Sequence, residues 1–450
     1  MPELEDGHYA SPRWSYEMLD CAMPMTLDTY SNCAFQCVYC FAYFQRAIGT
    51  GADDYLSHKV KSVDVEKIKR MFLDPDKHGG QFGWYIKQRK VLQWGGLSDG
   101  FDWYEKKFRK SLELLRFFRE IGYPISISTK GTWFWDDEEY VDAFRDASNV
   151  HLKYSIITTS DAAAEKLEAG APTPGERFAA LRKAADVGVH ARTLRFRPYI
   201  LGVSDLCDEE MLDRAQEARC TSVTTEMLCL EGRASKTAKE RYRRISEVCG
   251  FDVLQMYTRY SDRASGYMRL NYDIKRKYIE RMERMAKERG LKFYVSDAHH
   301  KEKSEGANCC GAEFGTGPDE KPQPSSCCGQ FTGAILIAKK HGQVSFSDIA
   351  EDAEGWKNVP WITAAGFNTG GAETEAKYYH HSMFDYLRAI WNDPHSWQSP
   401  ARYFGGVLVP AEKDAAGDVV YVYNAPFVEE GTRLDSVDKI RAQAGPENQH

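Results

Sequence analysis

From about residue 25 to residue 300 the chain alternates short β-type runs with amphipathic helical runs, and no other feature constrains its fold as much. Parallel strands need a crossover that returns the chain to the same end of the sheet, so this alternation predicts a parallel sheet covered by helices. Seven strands are expected: MPMTLDTY, KVLQWGGL, PISISTKG, HLKYSIIT, ARTLRFRPYI, SVTTEML and KFYVSD. Between them Tyr104, Phe108, Leu112, Leu115 and Phe118 recur at helical spacing, as do Ile274, Tyr278, Met282 and Met285, and each set marks one buried helix face. The expected class is α/β, a full or partial (β/α) barrel, a fold whose chemistry sits at the C-terminal ends of the strands.

Residues 1–24 read as an N-terminal extension, 25–300 as the barrel domain and 301–450 as a Cys/Gly-rich C-terminal domain with a polar tail after about residue 427. Two hairpins are expected in the last part, FTGAILIAKK-HG-QVSFSDI and YFGGVLVPAEKDAAGDVVYVYN. Hydrophobic residues at 42% and charged residues at 28% match a globular protein and argue against a disordered chain. No apolar run approaches the roughly 18 residues of a membrane span, and MPELEDGHYASPRW lacks the basic and apolar parts of a signal peptide, so a cytoplasmic location without membrane contact is expected. The net charge of −7 gives no global footprint for nucleic acid and leaves a local basic groove open.

Twelve cysteines are many for a cytosolic chain, where clustered thiols more often hold metal or do redox chemistry than form disulfides. The segment YSNCAFQCVYCFAY follows the first strand and sets Cys33, Cys37 and Cys40 in the order C-x3-C-x2-C. Three thiolates on one short loop can bind three irons of a cubane and leave the fourth iron open. A zinc loop would need a fourth ligand nearby, and three unrelated buried cysteines are the other alternative.

The motif closely resembles that of the radical S-adenosylmethionine (SAM) superfamily. The resemblance implies a barrel of the radical SAM type and a [4Fe–4S] cluster on Cys33, Cys37 and Cys40, with SAM chelating the open iron through its amino and carboxylate groups. Reduction then releases methionine and a 5′-deoxyadenosyl radical. Tyr39, beside the last cysteine, matches the position that packs against the adenine.

The segments GGLSDGFDWYEKK, SISTKGTW, YSIITTSDAAAEKLEAGAPTPGERFAAL and RFRPYILGVSD resemble, in order and spacing, the spore photoproduct lyase-like branch. Gly95 and Gly96 then let the backbone approach the methionyl amine, with Ser98 and Asp99 following as polar ligands. Lys130 matches a lysine that pairs with the SAM carboxylate, and Ser155 a polar contact to the ribose or carboxylate. Arg195 and Arg197 share one strand face while Phe196 points the other way. They bind SAM or an anionic substrate, or pair with Glu168 or Glu226. The branch's founding lyase returns hydrogen to its product from a cysteine two residues before the serine of its SD motif, where this chain has Gly96. That relay is therefore missing, and Tyr39, Tyr43, Tyr154 or a distant cysteine would have to supply a hydrogen, if one is required. Tyr43 and Tyr154 stand as catalytic candidates.

A second group, Cys309-Cys310-Gly311 and Cys327-Cys328-Gly329, offers four thiols to a second Fe–S cluster or a zinc ion, although adjacent cysteines depart from the usual C-x2-C ligand spacing. Buried or redox-paired thiols are the favoured reading. Asp297, His299 and His300 read first as a hydrogen-bonded loop, His380 and His381 as helix packing, and Cys21, Cys207, Cys220, Cys229 and Cys249 as small buried hydrophobes. KERYRR at 239–244 and KRKYIERMERMAKERG read as solvated helix faces.

The expected function is a radical SAM enzyme that abstracts hydrogen from an organic substrate, with a nucleotide or nucleic-acid base as the leading class. Lyase, isomerase and modification chemistry all stay open. A flavodoxin- or ferredoxin-type protein would supply electrons. Two alternatives remain: the same chemistry on a peptide or other natural product, and a non-enzymatic Fe–S or zinc protein.

Overall fold

The computed structural model describes residues 3–15, 21, 23–43, 59–264, 267–305, 309–312, 330–349, 383–396, 399–404 and 406–425. Its strands are β1 (Glu3–Tyr9), β2 (Arg13–Trp14), β3 (Met25–Leu27), β4 (Lys59–Val63), β5 (Leu92–Trp94), β6 (Ile125–Thr129), β7 (Val150–Ser155), β8 (Ala191–Tyr199), β9 (Ser222–Met227), β10 (Cys229–Glu231), β11 (Ser261–Ala264), β12 (Tyr267–Leu270), β13 (Lys292–Val295), β14 (Gln343–Val344), β15 (Leu408–Lys413) and β16 (Val419–Tyr423). The seven expected strands are β3, β5, β6, β7, β8, β9 and β13. They form one parallel sheet in that spatial order, with β2 added antiparallel beside β3. Because β13 and β2 are its two ends, the sheet is the partial barrel of the two alternatives.

The alternation along these strands sorts polar from apolar side chains. Ile125, Ile127, Leu152, Tyr154, Leu194, Phe196 and Val223 are fully buried in the main hydrophobic core, while the intervening positions are polar and line the concave interior, since neighbours on a strand point to opposite faces. A hydrogen-bond chain crosses four strands there: Ser126 Oγ to His151 Nδ1 (2.8 Å), His151 Nε2 to Thr193 Oγ1 (2.7 Å) and Thr193 Oγ1 to Ser222 Oγ (2.7 Å). Buried polar groups of this kind are tolerated because each finds a partner. Toward the strands' C-terminal ends the same faces carry Lys153, Ser155, Arg195, Arg197 and Glu226.

The chain past β13 re-enters this interior. Thr224 Oγ1 donates to the carbonyl of Cys309 at 2.6 Å, and a Cβ on Gly311 (φ +69°) would come within 2.8 Å of Ser222 Oγ. Cys310 and Ala312 pack against Cys21, Met23 and Val91. Residues 309–312 therefore touch β8, β9 and β13 on one side and the segment leading into β3 on the other, bridging the two ends of the sheet.

Two local expectations differ from the structure. The helix predicted through Tyr104 and Phe118 is two helices, Trp103–Phe108 and Lys110–Glu120, broken at Arg109 (φ +57°). The buried Glu105 carboxylate causes the break by accepting from the backbone N–H groups of Ser111 (2.8 Å) and Leu112 (2.9 Å), which start the second helix. The first C-terminal hairpin is instead the helix Gln330–His341 followed by β14. Its buried residues Ala334, Ile335 and Ala338 follow helical spacing, and Gly342 (φ +83°) ends the helix, its N–H donating to Ala338 O at 2.7 Å. The second hairpin forms as expected from β15 and β16. Among the described residues no helix is long and apolar enough to cross a membrane.

Candidate active site

At the C-terminal ends of the strands a cavity of about 270 Å³ opens. Cys33, Cys37 and Cys40 all face it. The loop that carries them is held from three directions. Asp102 Oδ2 accepts from Ala34 N (2.6 Å) and its Oδ1 from Tyr104 N (2.8 Å), so one carboxylate caps a helix and fixes the loop's start. Val38 N donates to Leu167 O at 2.9 Å. Gly170 backs the loop so closely that a Cβ there would stand 2.7 Å from Phe35 O and 2.8 Å from Ala34 O.

Burial, with Asp102 and Asp99 nearby, pushes the Cys33 thiol well above its ordinary pKa, and burial pushes Cys37 up to about 12, with Lys130 opposing. Such thiols favour the neutral form unless a bound metal supplies positive charge. Among the described residues no three His, Cys, Asp or Glu side chains converge on a single ion. A cubane asks for something else, because each thiolate binds its own iron. Three soft donors on one loop, spread along a cavity wall, fit that group.

The rest of the wall comes from strand ends. Asp28, just past β3, accepts through Oδ1 from the N–H groups of Gly96 (2.8 Å), Leu97 (2.8 Å) and Ser98 (3.1 Å), and through Oδ2 from Arg13 Nε (2.9 Å). This one carboxylate shapes the GGLSD turn. Gly95 needs its left-handed backbone (φ +86°), and a Cβ on Gly96 would collide with the Arg13 guanidinium and the Thr26 methyl. Ser98 Oγ donates to Tyr30 O (2.6 Å). Asp99 accepts from Phe101 N (2.9 Å), Thr129 Oγ1 (2.8 Å) and Lys130 N (2.7 Å), which only partly offset the effect of burial in raising its pKa. Both residues edge the cavity, yet these bonds hold neighbouring backbone in place.

Lys130, beyond β6, lies 3.8 Å from Glu168 Oε1 and 5.8 Å above the Tyr39 ring. Glu168 is fully buried and pairs at 2.6 Å with Arg177, also fully buried, while the Tyr39 hydroxyl donates to it. Burial alone would raise the carboxyl's pKa; Arg177 and Lys130 overcome it and hold Glu168 below its ordinary value. Burial likewise acts to lower Lys130, and Cys37 and Glu168 outweigh it. Arg195 donates to Ser155 Oγ at 3.0 Å, and burial together with Arg197 brings it down to about 10. Arg197 donates to Ser296 Oγ (3.0 Å) and pairs with Glu226. Of the two acids expected to pair with these arginines, Glu226 does so with Arg197; Glu168 takes Arg177 instead.

The structure thus gathers Tyr39, Gly95, Gly96, Ser98, Asp99, Lys130, Ser155, Arg195 and Arg197 around the three cysteines. It does not bring in Tyr154, whose side chain lies on the opposite strand face, fully buried, donating to Gly131 O and accepting from Trp135 Nε1, each at 2.8 Å. Tyr43 does not line the cavity; it packs with Cys33 and Cys40 against Ala42 and Leu97, the Arg241 guanidinium 4.5 Å over its ring. Asp297 accepts from Lys275 Nζ (3.0 Å) and Met227 N (2.8 Å), and His300 stacks on Tyr272 at 4.3 Å, both as parts of the packed structure. Cys309 and Cys310 also face the cavity, their sulfurs 3.6 Å apart, as do Cys21 and Cys229, which read from sequence as packing residues only. Cys327, Cys328, His380 and His381 lie outside the described residues.

Asp28, Asp102, Arg177 and Arg241 escape motif reading. Asp28 alone left a signal, a lone acid directly after a strand at the end where barrels keep their sites.

The chain resembles, as a structure, a mutant of spore photoproduct lyase at 17% identity, covering 65% of this chain and 81% of that one with a TM-score of 0.46. A radical SAM methyltransferase from Sphaerobacter thermophilus also aligns at 17% identity over 60% of this chain and 65% of that one, TM-score 0.36. The radical S-adenosylmethionine methyltransferase TsrM from Kitasatospora setae, with cobalamin and a [4Fe–4S] cluster bound, aligns at 9% identity over 73% and 60%, TM-score 0.36. No curated relative matches the sequence. Residues 27–215, which hold the cysteine loop and the strands β5 to β8, match the family model of the radical SAM superfamily.

Proposed function

We propose that this protein is an enzyme in which Cys33, Cys37 and Cys40 hold a [4Fe–4S] cluster beside SAM, for hydrogen abstraction from an organic substrate. One observation carries it: a single cavity brings the three cysteines together with the SAM contacts named from four strand ends. When bound, the cluster and SAM together supply a reductive cleavage that yields a 5′-deoxyadenosyl radical. The chain's own residues bind and orient. Lys130 offers an ammonium to the SAM carboxylate, with Glu168 and Tyr39 fixing its position. Gly95 and Gly96 keep side-chain bulk off the wall, and Arg195, whose one hydrogen bond among the described residues goes to a neutral hydroxyl, leaves its charge for an anionic group.

A nucleotide or nucleic-acid base is the proposed substrate class, on the ordered segments shared with the spore photoproduct lyase-like branch and on the cations at the wall. A flavodoxin- or ferredoxin-type donor would reduce the cluster. Protein reconstituted without oxygen and reduced with dithionite is expected to form 5′-deoxyadenosine and methionine slowly without substrate. Replacing Cys33, Cys37 and Cys40 together by Ala should abolish both cluster and product. Cleavage that survives in the triple variant sinks the assignment.

A further inference from the structure

Arg241 lies on the helix Lys236–Cys249, within a run whose mixed charges predict a solvated face. Its neighbour Arg243 fits that expectation, 59% exposed and paired with Glu240 and Glu247. Arg241 does not. Its side chain is 14% exposed and makes three contacts at the back of the cysteine loop. Nη1 donates to the carbonyl of Cys40 at 3.2 Å, Nη2 pairs at 2.8 Å with Glu231, itself 9% exposed, and the guanidinium lies 4.5 Å over the Tyr43 ring. Nε is buried and, among the described residues, has no partner.

A planar guanidinium suits this position because it can grip a carbonyl, a carboxylate and a ring face at once, which an ammonium cannot. The grip also links two walls of the cavity. Glu231 belongs to β10, where Cys229 faces the cavity, and β10 pairs with β12, which contributes Tyr267 and Arg269 to the same cavity. The Cys40 end of the loop is thereby tied to the small sheet β10–β12–β11.

We infer that Arg241 is a positioning residue for the cysteine loop: it locks the Cys40 backbone against the small sheet and raises the reduction potential of a cluster held there. Groups one step beyond a metal's ligands orient those ligands, and hydrogen bonds and charge near an Fe–S cluster set its potential. A cation beside the third ligand stabilises the more negative, reduced state. This rests on the cluster assignment proposed above.

The test uses reconstituted full-length protein, a potentiometric titration followed by electron paramagnetic resonance, and the rate of iron loss to a chelator. Arg241→Gln is expected to bind iron like the wild type, to shift the potential to more negative values and to release iron on the order of tenfold faster. Arg241→Lys keeps the charge without the planar grip, so the potential should stay near the wild type's while iron loss still accelerates. Glu231→Gln removes the opposing charge and should shift the potential the other way. A native potential and native iron release in Arg241→Gln would overturn the inference, as would shifts of the same sign in Arg241→Gln and Glu231→Gln. Should Arg241→Gln fail to fold, unchanged iron release in Arg241→Lys overturns it alone. Wild-type protein that assembles no cluster would instead refute the cluster assignment.

Discussion

Glu168 and Glu302 are buried alike, at 1% and 2% exposure, and their surroundings drive them in opposite directions. Glu168 lies under the cysteine loop with Arg177, Lys130 and the Tyr39 hydroxyl around it, and its carboxyl is held below its ordinary value. Glu302 lies past β13 among residues that pack against the C-terminal helices; neither carboxylate oxygen has a hydrogen-bond partner on another described residue, and burial raises its pKa to about 7. Its own backbone N–H, Lys303 and Lys339 act against that rise without cancelling it. Burial by itself therefore does not fix a carboxyl's charge; the donors placed around it do. Beside the candidate SAM site a charge is maintained, whereas at the C-terminal contact the acid holds its proton up to about pH 7.

Removing the partner that makes the two sites different should have the largest effect. Arg177→Met leaves Glu168 buried with only Lys130, at 3.8 Å, as a counter-charge, and stability should fall by roughly 3–5 kcal/mol, since an uncompensated buried charge costs about that much. Urea denaturation measures it, and adding Glu168→Gln should restore part of the loss. A fall below about 1 kcal/mol would mean that the pair does not distinguish the two sites.

The second test concerns Glu302. A folded-state pKa of about 7 against an ordinary value of 4.5 means that the native state holds the proton more tightly than the unfolded chain. The resulting stability is fully present below about pH 4.5 and is lost as pH rises to about 7. At about 1.4 kcal/mol per pKa unit the loss is on the order of 2–4 kcal/mol. Glu302→Gln should therefore be more stable than the wild type at pH 8 and should flatten the decline between pH 5 and 7. Melting curves with the same pH dependence in both proteins would place a partner at this carboxylate.

The smallest effect sharpens the Glu168 side alone. Lys130→Ala should weaken SAM binding by roughly ten- to a hundredfold, the worth of about 1.5–3 kcal/mol for a charge-assisted contact, and leave cluster iron unchanged. Calorimetry with SAM and iron analysis separate the two quantities. Unaltered affinity would show that Lys130 serves only the buried Glu168 group.

The seven strands of the sheet were legible because a strand between two neighbours and under helices has to be apolar on at least one face along its whole length. The polar positions between the apolar ones, in ISIST, HLKYS, TLRFR and SVTTEM, carried more information still. An interior with polar residues on adjacent strands has to pair them or offer them to a ligand. The cysteine motif was legible for a similar reason, since ligands on one loop keep their spacing in sequence. Less was legible where two periods fit equally well. GAILIAKK satisfies both a strand and a helix, and the packing of Ala334, Ile335 and Ala338 selects the helix. Tyr154 is a candidate only until the strand's pleat is known, because its neighbour Ser155 takes the cavity face.

By itself the sequence determined the parallel α/β architecture, the C-x3-C-x2-C loop at the end of its first strand and the strand ends that face it. These depend on local periodicity and on residues close together along the chain. Tertiary structure alone decided the partners that hold the loop and the cavity. Asp102 and Arg241 reach Ala34 and Cys40 across 68 and 201 residues of chain, and the segment 309–312 enters the barrel from beyond its last strand. A carboxylate or guanidinium bonds to whatever backbone the fold brings within about 3 Å, and distance along the chain does not specify that meeting.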